Sequence, residues 1–205
     1  MTARPILMSK PMVQAILAGT KLQTRRSLRK GTWFTEEHGV IRQASAGLAC
    51  TGFAPVACPY GKVGDKLWVR ESWMPDPPID DTWASTQWAG CRDGKIAGVP
   101  ERFRHPRFCN YAADWLHGQV RWTPSIHMPR WASRITLTLT EVRVQRLQDI
   151  SEADAIAEGV TNSLHLPGGR FARENYAHLW DTINGEGAWD AAPCVWALTF
   201  TVEKR

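Results

Sequence analysis

The chain has 205 residues, 43% of them hydrophobic, and its 25 Lys and Arg against 20 Asp and Glu give a formal net charge of +5. A chain of this length and apolar content can bury a proper core as one domain, which excludes wholesale disorder. No run approaches the roughly 18 apolar residues of a spanning helix, and the opening MTARPILMSK lacks a signal-peptide core, so the expectation is a soluble, cytoplasmic protein with no membrane partner.

Five cysteines, an odd number without an export signal, read as free thiols and not as a disulfide framework. The unusual feature is 11 tryptophans against 3 Tyr and 6 Phe. Some belong in a core; so many indoles on a mildly basic chain also suit a surface that stacks planar ligands such as bases. A charge of +5 permits an anionic partner without demanding one.

In chain order, the first predicted element is a short helix. Ser9 caps it, Pro11 fits its first turn, Met12, Ile16 and Leu17 fall on one side, and Gly19 stops it. A basic segment, Thr20 to Arg26, follows. Residues 27–64 show no period and read as loop with at most one short strand, and Gly61 and Gly64-Asp65 mark a turn. Lys66 to Trp73 alternates, with Leu67, Val69 and Glu71 on one side and Trp68, Arg70 and Ser72 on the other, which predicts a strand bounded by Pro75. From Met74 to about His127 the chain is rich in Trp, Pro and Gly without a sustained period, and is expected to be an insertion with small elements of its own. A strand then places Ile135, Leu137 and Leu139 against Thr136, Thr138 and Thr140. A one-residue slip before Val142 and Val144 suggests a β-bulge.

Ser151-Glu152-Ala153-Asp154 opens a second helix like a capping box with Asp in the last place, and Gly159 closes it. A third helix runs from about Phe171 to Asn184 with Tyr176, Leu179, Trp180 and Ile183 on one stripe, ended by Gly185. The last strand is Val195 to Val202, with Trp196, Leu198, Phe200 and Val202 sharing a face. Widely spaced strands with short helices between them predict an α+β domain on an antiparallel sheet or small barrel. The absence of a βαβ rhythm disfavours parallel doubly wound folds.

The most informative segment for chemistry is Gly19-Thr20-Lys21-Leu22-Gln23-Thr24-Arg25. A desolvated, partly neutral Lys21 amine can take a proton from the Thr24 hydroxyl or from a water. Such a lysine needs a carboxylate to hold it, for which Glu158 is a candidate. Equally, Lys21, Arg25 and Arg26 can form a basic, phosphate-contacting edge. Cys50, Cys58, Cys91, His105, Cys109 and His117 match no standard zinc spacing, so no metal and no cofactor is expected. Arg102, Arg104, His105 and Arg107 interleave with Phe103 and Phe108. They read either as a nucleic-acid contact or as a loop exposing its basic residues with two Phe tucked beneath. Trp180 and Trp196 fit core periodicities, whereas Trp73, Trp83, Trp88 and Trp122 have no assignment. For nuclease chemistry His38, His105, His117 or His127 are candidate acid–base residues, and nothing in their spacing singles one out. The phosphate-cradling glycine motifs and G-x-S-x-G are absent.

Taken in order, Gly19 to Arg26, Val63-Gly64-Asp65-Lys66-Leu67-Trp68-Val69, Leu147 to Gly159 and Val195 to Phe200 resemble the ASCH domain family. Cys58-Pro59-Tyr60-Gly61, Trp68-Val69-Arg70-Glu71 and Ser125 to Trp131 resemble its longer phage and prophage members. The resemblance implies a single PUA-like domain over 1–205, a small antiparallel β-barrel flanked by short helices and interrupted by the insertion at about 74–127. It implies a cleft for a nucleoside or RNA. It also implies amidohydrolase chemistry on N4-acetylcytidine, with Lys21, Thr24 and Glu158 as the catalytic residues; Glu152 and Asp154 on the same helix are rivals to Glu158. Substrate- or nucleic-acid-binding residues are then expected at Arg25, Arg26, Trp68, Arg70, Glu71 and Trp73. A non-catalytic RNA-binding module or a ribonuclease is the alternative the family also offers.

Overall fold

A computed structural model describes residues 3–28, 32–35, 40–43, 54–55, 57–76, 99, 101–116, 121–161 and 171–204. In chain order the strands and α-helices are β1 (Arg4–Leu7), α1 (Lys10–Leu17), β2 (Gln23–Ser27), β3 (Thr32–Thr35), β4 (Val40–Gln43), β5 (Ala54–Pro55), β6 (Lys66–Arg70), β7 (Trp73–Pro75), β8 (Cys109–Tyr111), β9 (Ile135–Arg146), α2 (Glu152–Ala157), α3 (Ala172–Asn184) and β10 (Cys194–Lys204). The class is α+β, as the strand and helix spacing predicts. The main sheet has five strands in the order β1-β6-β9-β10-β2. It is open, with β1 and β2 as its edges.

The expectation of a wholly antiparallel sheet is corrected by β1, which pairs in parallel with β6, Arg4 opposite Leu67 and Leu7 opposite Arg70. Parallel neighbours need a long crossover, and here everything from α1 to Asp65 lies between them. β1 itself is four residues, RPIL, with no legible period; its Pro5 is tolerated because β1 is an edge strand.

By its internal packing the chain divides into two compact units. One is Met1–Leu17, Lys66–Leu137 and Val202–Arg205, and the other is Ala18–Asp65 and Thr138–Thr201. In the first unit the alternation of β6 follows the sequence reading: Leu67, Val69 and Glu71 are buried and Trp68, Arg70 and Ser72 half-buried. The strand breaks after Arg70, however, and resumes as β7, with Pro75 inside it opposite Cys109 of β8. Where they are described, residues 74–127, expected to be an insertion, pack against the rest of this unit. Trp73, Cys109, Tyr111, Met128 and Ala132 form one buried cluster with Trp131 against it, and Gln14 of α1 donates to the Ala113 carbonyl at 2.9 Å.

In the second unit β2 runs antiparallel to β10, with Thr24 opposite Leu198. α2 and α3 bury Ala155, Ala172, Tyr176 and Trp180 together with Leu147, Ile150 and Val195. The buried stripe of α3 is therefore Ala172, Tyr176 and Trp180, at i, i+4 and i+8. Leu179 and Ile183, expected on it, are 37% and 54% exposed. β9 runs unbroken through the predicted slip, where Thr140 and Glu141 are exposed in succession. The segment expected to hold at most one strand carries β3, β4 and β5, an antiparallel sheet of their own.

Candidate functional site

The site in the second unit is assembled by the short stretch between α1 and β2. Gly19 has φ +78, a left-handed conformation that glycine adopts without a Cβ penalty, and it turns the chain out of the helix. Lys21 then pairs as an isolated antiparallel bridge with Glu158. Leu22 is held on both sides, its N–H donating to the Ala157 carbonyl at 2.7 Å and its carbonyl accepting from the Phe200 N–H at 3.0 Å. On the other side of the bridge, Ser151 caps α2 by accepting from the Asp154 N–H at 3.1 Å. Asp154 and Glu158 stand one helical turn apart, with the Glu158 N–H donating to the Asp154 carbonyl at 2.9 Å.

These two carboxylates receive three alternate residues, Lys21 before β2 and Gln23 and Arg25 within it. Lys21 Nζ donates to Glu158 Oε2 at 2.6 Å and to the Glu158 carbonyl at 2.9 Å. Arg25 Nη1 donates to Glu158 Oε1 at 3.0 Å and to Gln23 Oε1 at 2.5 Å, and Nη2 donates to Asp154 Oδ2 at 2.8 Å. Gln23 Nε2 donates to Asp154 Oδ1 at 3.2 Å and to Thr199 Oγ1 at 3.1 Å. The Arg25 guanidinium lies 5.8 Å from the centre of the Tyr176 ring. The lysine is 1% exposed. Burial, the largest influence, pushes its ammonium down from the ordinary lysine value; Glu158 opposes that and the charges of Arg26 and Arg25 add to it. Burial pushes the Tyr176 hydroxyl up, and the Glu158 charge adds to it.

Of the three expected catalytic residues, the structure brings Lys21 and Glu158 together. Thr24 is equally buried at 1% exposure. Its register opposite Leu198, beside Arg25 opposite Ala197, puts it on the other face of β2 from Gln23 and Arg25, and no hydrogen bond joins it to Lys21. Arg26, half-buried, is on Thr24's face. Arg25, expected to contact ligand, has its side chain fully buried and engaged by Glu158 and Asp154. Glu152, the other rival to Glu158, instead accepts from the Arg173 N–H at 3.3 Å. Gln23 is the partner that sequence reading missed, though it stands two residues after Lys21; Asp154, expected as a rival to Glu158, is a second carboxylate of the same cluster, four residues before it.

The remaining expected binding residues lie in the first unit. Trp68 is half-buried and faces two guanidinium groups, Arg70 at 5.4 Å and Arg130 at 5.7 Å from its ring centre; Arg70 also donates to the Ile126 carbonyl. Glu71 and Trp73, also expected to contact ligand, are both buried. Glu71 is buried and accepts from Arg134 Nε at 3.0 Å and Nη2 at 3.1 Å, and its carboxyl is raised by burial against the pull of Arg134. Trp73 is wholly buried, edge-on to Trp131 at 5.4 Å, so no face of its ring is open to a base. The Arg102–Arg107 stretch takes the tucked-loop form: Phe103 and Phe108 pack edge to face at 5.3 Å while Arg102, Arg104, His105 and Arg107 are exposed.

His38, Cys50, Trp83, Trp88, Cys91 and His117 lie outside the described residues. Cys109 and Cys194 are free thiols, and burial pushes the Cys109 thiol up to about 12. Among the described residues no three His, Cys, Asp or Glu side chains are grouped to hold a metal ion. No described helix is long and apolar enough to cross a membrane. Comparison with protein-family models, with curated proteins and with solved structures finds no match to this chain.

Proposed function

We propose that the chain is an amidohydrolase that deacylates N4-acylated cytidine-type nucleosides on a PUA-like, ASCH-type fold. The observation that carries this reading is the buried ion pair of Lys21 with Glu158. Taking two charges out of water costs several kcal/mol per ion before their attraction is counted, and buried, perturbed groups of this kind concentrate at functional sites. Burial favours the neutral form of Lys21 against the hold of Glu158, and the neutral form is an amine able to act as a general base. Two of the three ammonium donors are engaged by Glu158, which in this reading leaves the third for a nucleophile or acyl oxygen.

In the proposed reaction the Thr24 oxygen attacks the acyl carbonyl carbon and its proton passes to Lys21. The tetrahedral intermediate collapses with cleavage of the C–N bond, and the departing N4 amine takes that proton. Water, with Lys21 again as base, then releases the carboxylic acid and restores the threonine. Because Lys21 can also take its proton from a water, a direct hydrolysis without the acyl-threonine is the variant of the same chemistry. A time course of N4-acetylcytidine with the wild-type protein, Lys21→Ala and Thr24→Ala, followed by chromatography, tests it. Wild type is expected to release cytidine, and Lys21→Ala to lose about 10²–10⁴ of the rate, the usual contribution of a general base. Loss of activity in Thr24→Ala assigns the hydroxyl, and retention assigns water. Absence of turnover with every N4-acylated cytidine overturns the reading.

In that event the reading favoured by the half-buried Trp68 between Arg70 and Arg130 takes its place, a module that stacks bases of RNA and contacts phosphate. Its signature is retention of single-stranded RNA that weakens steeply with salt.

A further inference from the structure

We propose that Arg25 is a positioning residue for the Lys21–Glu158 pair, a permanent cation that keeps Glu158 paired while Lys21 takes up and releases its proton. The geometry divides the Glu158 carboxylate between two cations, Oε2 to Lys21 and Oε1 to Arg25. A guanidinium does not deprotonate in a protein. When Lys21 is neutral, Glu158 therefore remains a paired anion and not an isolated buried charge. Without Arg25 the carboxylate loses one of the two cations that hold it, and the remaining ion pair holds the lysine's proton more firmly. Arg25 is itself fixed on three sides, by Asp154 at 2.8 Å, by Gln23 at 2.5 Å and by the Tyr176 ring, an arrangement that orients a fork and not merely a charge.

The charged and titratable groups around Lys21 come from four elements. They are Arg25 and Arg26 of β2, Asp154 and Glu158 at α2, Tyr176 of α3, and, one step out, Glu141 and Arg143 of β9, with Arg143 3.4 Å from Asp154 and 3.2 Å from Glu141. Burial lowers the lysine, and the Arg25 charge acts in the same direction.

The inference gains its use from the deacylase reading, but its test needs no substrate. In protein labelled with ¹³C at the lysine ε-carbons, the Lys21 resonance is assigned by its loss in Lys21→Arg and followed against pH. Arg25→Gln is expected to move its midpoint to higher pH, and Arg25→Lys to return it toward the wild-type position. A midpoint that stays or moves lower in Arg25→Gln overturns the proposal. If Arg25→Gln does not fold, Asp154→Asn decides: removing the second carboxylate leaves Arg25 wholly to Glu158 and must move the midpoint lower, and an unmoved or raised midpoint overturns the proposal. The acid limb of the deacylation profile is expected to move with the titration. Titrations that shift as stated in a protein with no turnover separate the two ideas, leaving Arg25's role standing and removing the deacylase.

Discussion

Glu158 accepts charged hydrogen bonds from Lys21 and Arg25 in a setting nearly free of water, whereas Lys66 and Glu203 make a pair of similar length, 2.9 Å, with side chains 39% and 53% exposed. The two are not equivalent. An exposed pair contributes about 0–1 kcal/mol, but removing one partner of a buried pair leaves a desolvated charge and costs about 3–5 kcal/mol. Glu158→Gln is accordingly expected to lower unfolding stability by about 3–5 kcal/mol, read as a lower urea midpoint at an unchanged slope. A loss under about 1 kcal/mol would show that water reaches the pair. At this scale the lysine and its glutamate were legible as residue types suited to one another. The two arginines were not separable: Arg25 and Arg26 are adjacent and identical, and strand alternation alone sends one into the ion-pair cluster and the other to Thr24's face.

At the scale of elements, α2, which holds Asp154 and is capped by Glu158, has only six residues, far short of the roughly 12–15 at which an isolated helix begins to hold in water. Its cap is therefore a sizeable part of its stability. Ser151→Ala removes the acceptor of the Asp154 N–H and is expected to cost about 1 kcal/mol, seen as an Asp154 amide that exchanges roughly fivefold faster. An unchanged exchange rate would mean that packing of Ala155 alone orders the turn. Capping signals such as Ser151 and stop signals such as Gly159 and Gly185, both at positive φ, are local and so were readable. The stripe of α3 was not, because Leu179 and Ile183 fit the helical period as well as Ala172 does. Only the surface that the helix meets selects between them.

At the scale of the molecule, the segment after β7 supplies partners that the rest of the first unit lacks. Tyr111 packs on Trp73 and donates to the Ala132 carbonyl at 2.8 Å. Asp114 joins Glu71 in holding Arg134, whose guanidinium lies 3.9 Å from the Tyr111 ring centre. Replacing residues 77–122 by a short glycine-serine linker is expected to destabilise the protein by at least the ~3–5 kcal/mol of a large aromatic core truncation and to expose Trp73 to a fluorescence quencher. A variant with wild-type stability and a protected Trp73 would return the segment to the status of a dispensable insertion.

Periodicity, capping residues and turn glycines are properties of neighbours in the chain. For that reason α1, α2, β6, β9 and β10, the α+β class and the need of a buried lysine for some carboxylate could be read from the sequence by itself. The parallel β1, the burial of Trp73 and Glu71 and the clamp formed by Asp154, Arg25 and Gln23 depend on residues brought together across up to 137 positions, as Lys21 and Glu158 are. Which face of a strand or helix is covered is decided by what packs on it, and that is a property of the tertiary structure alone.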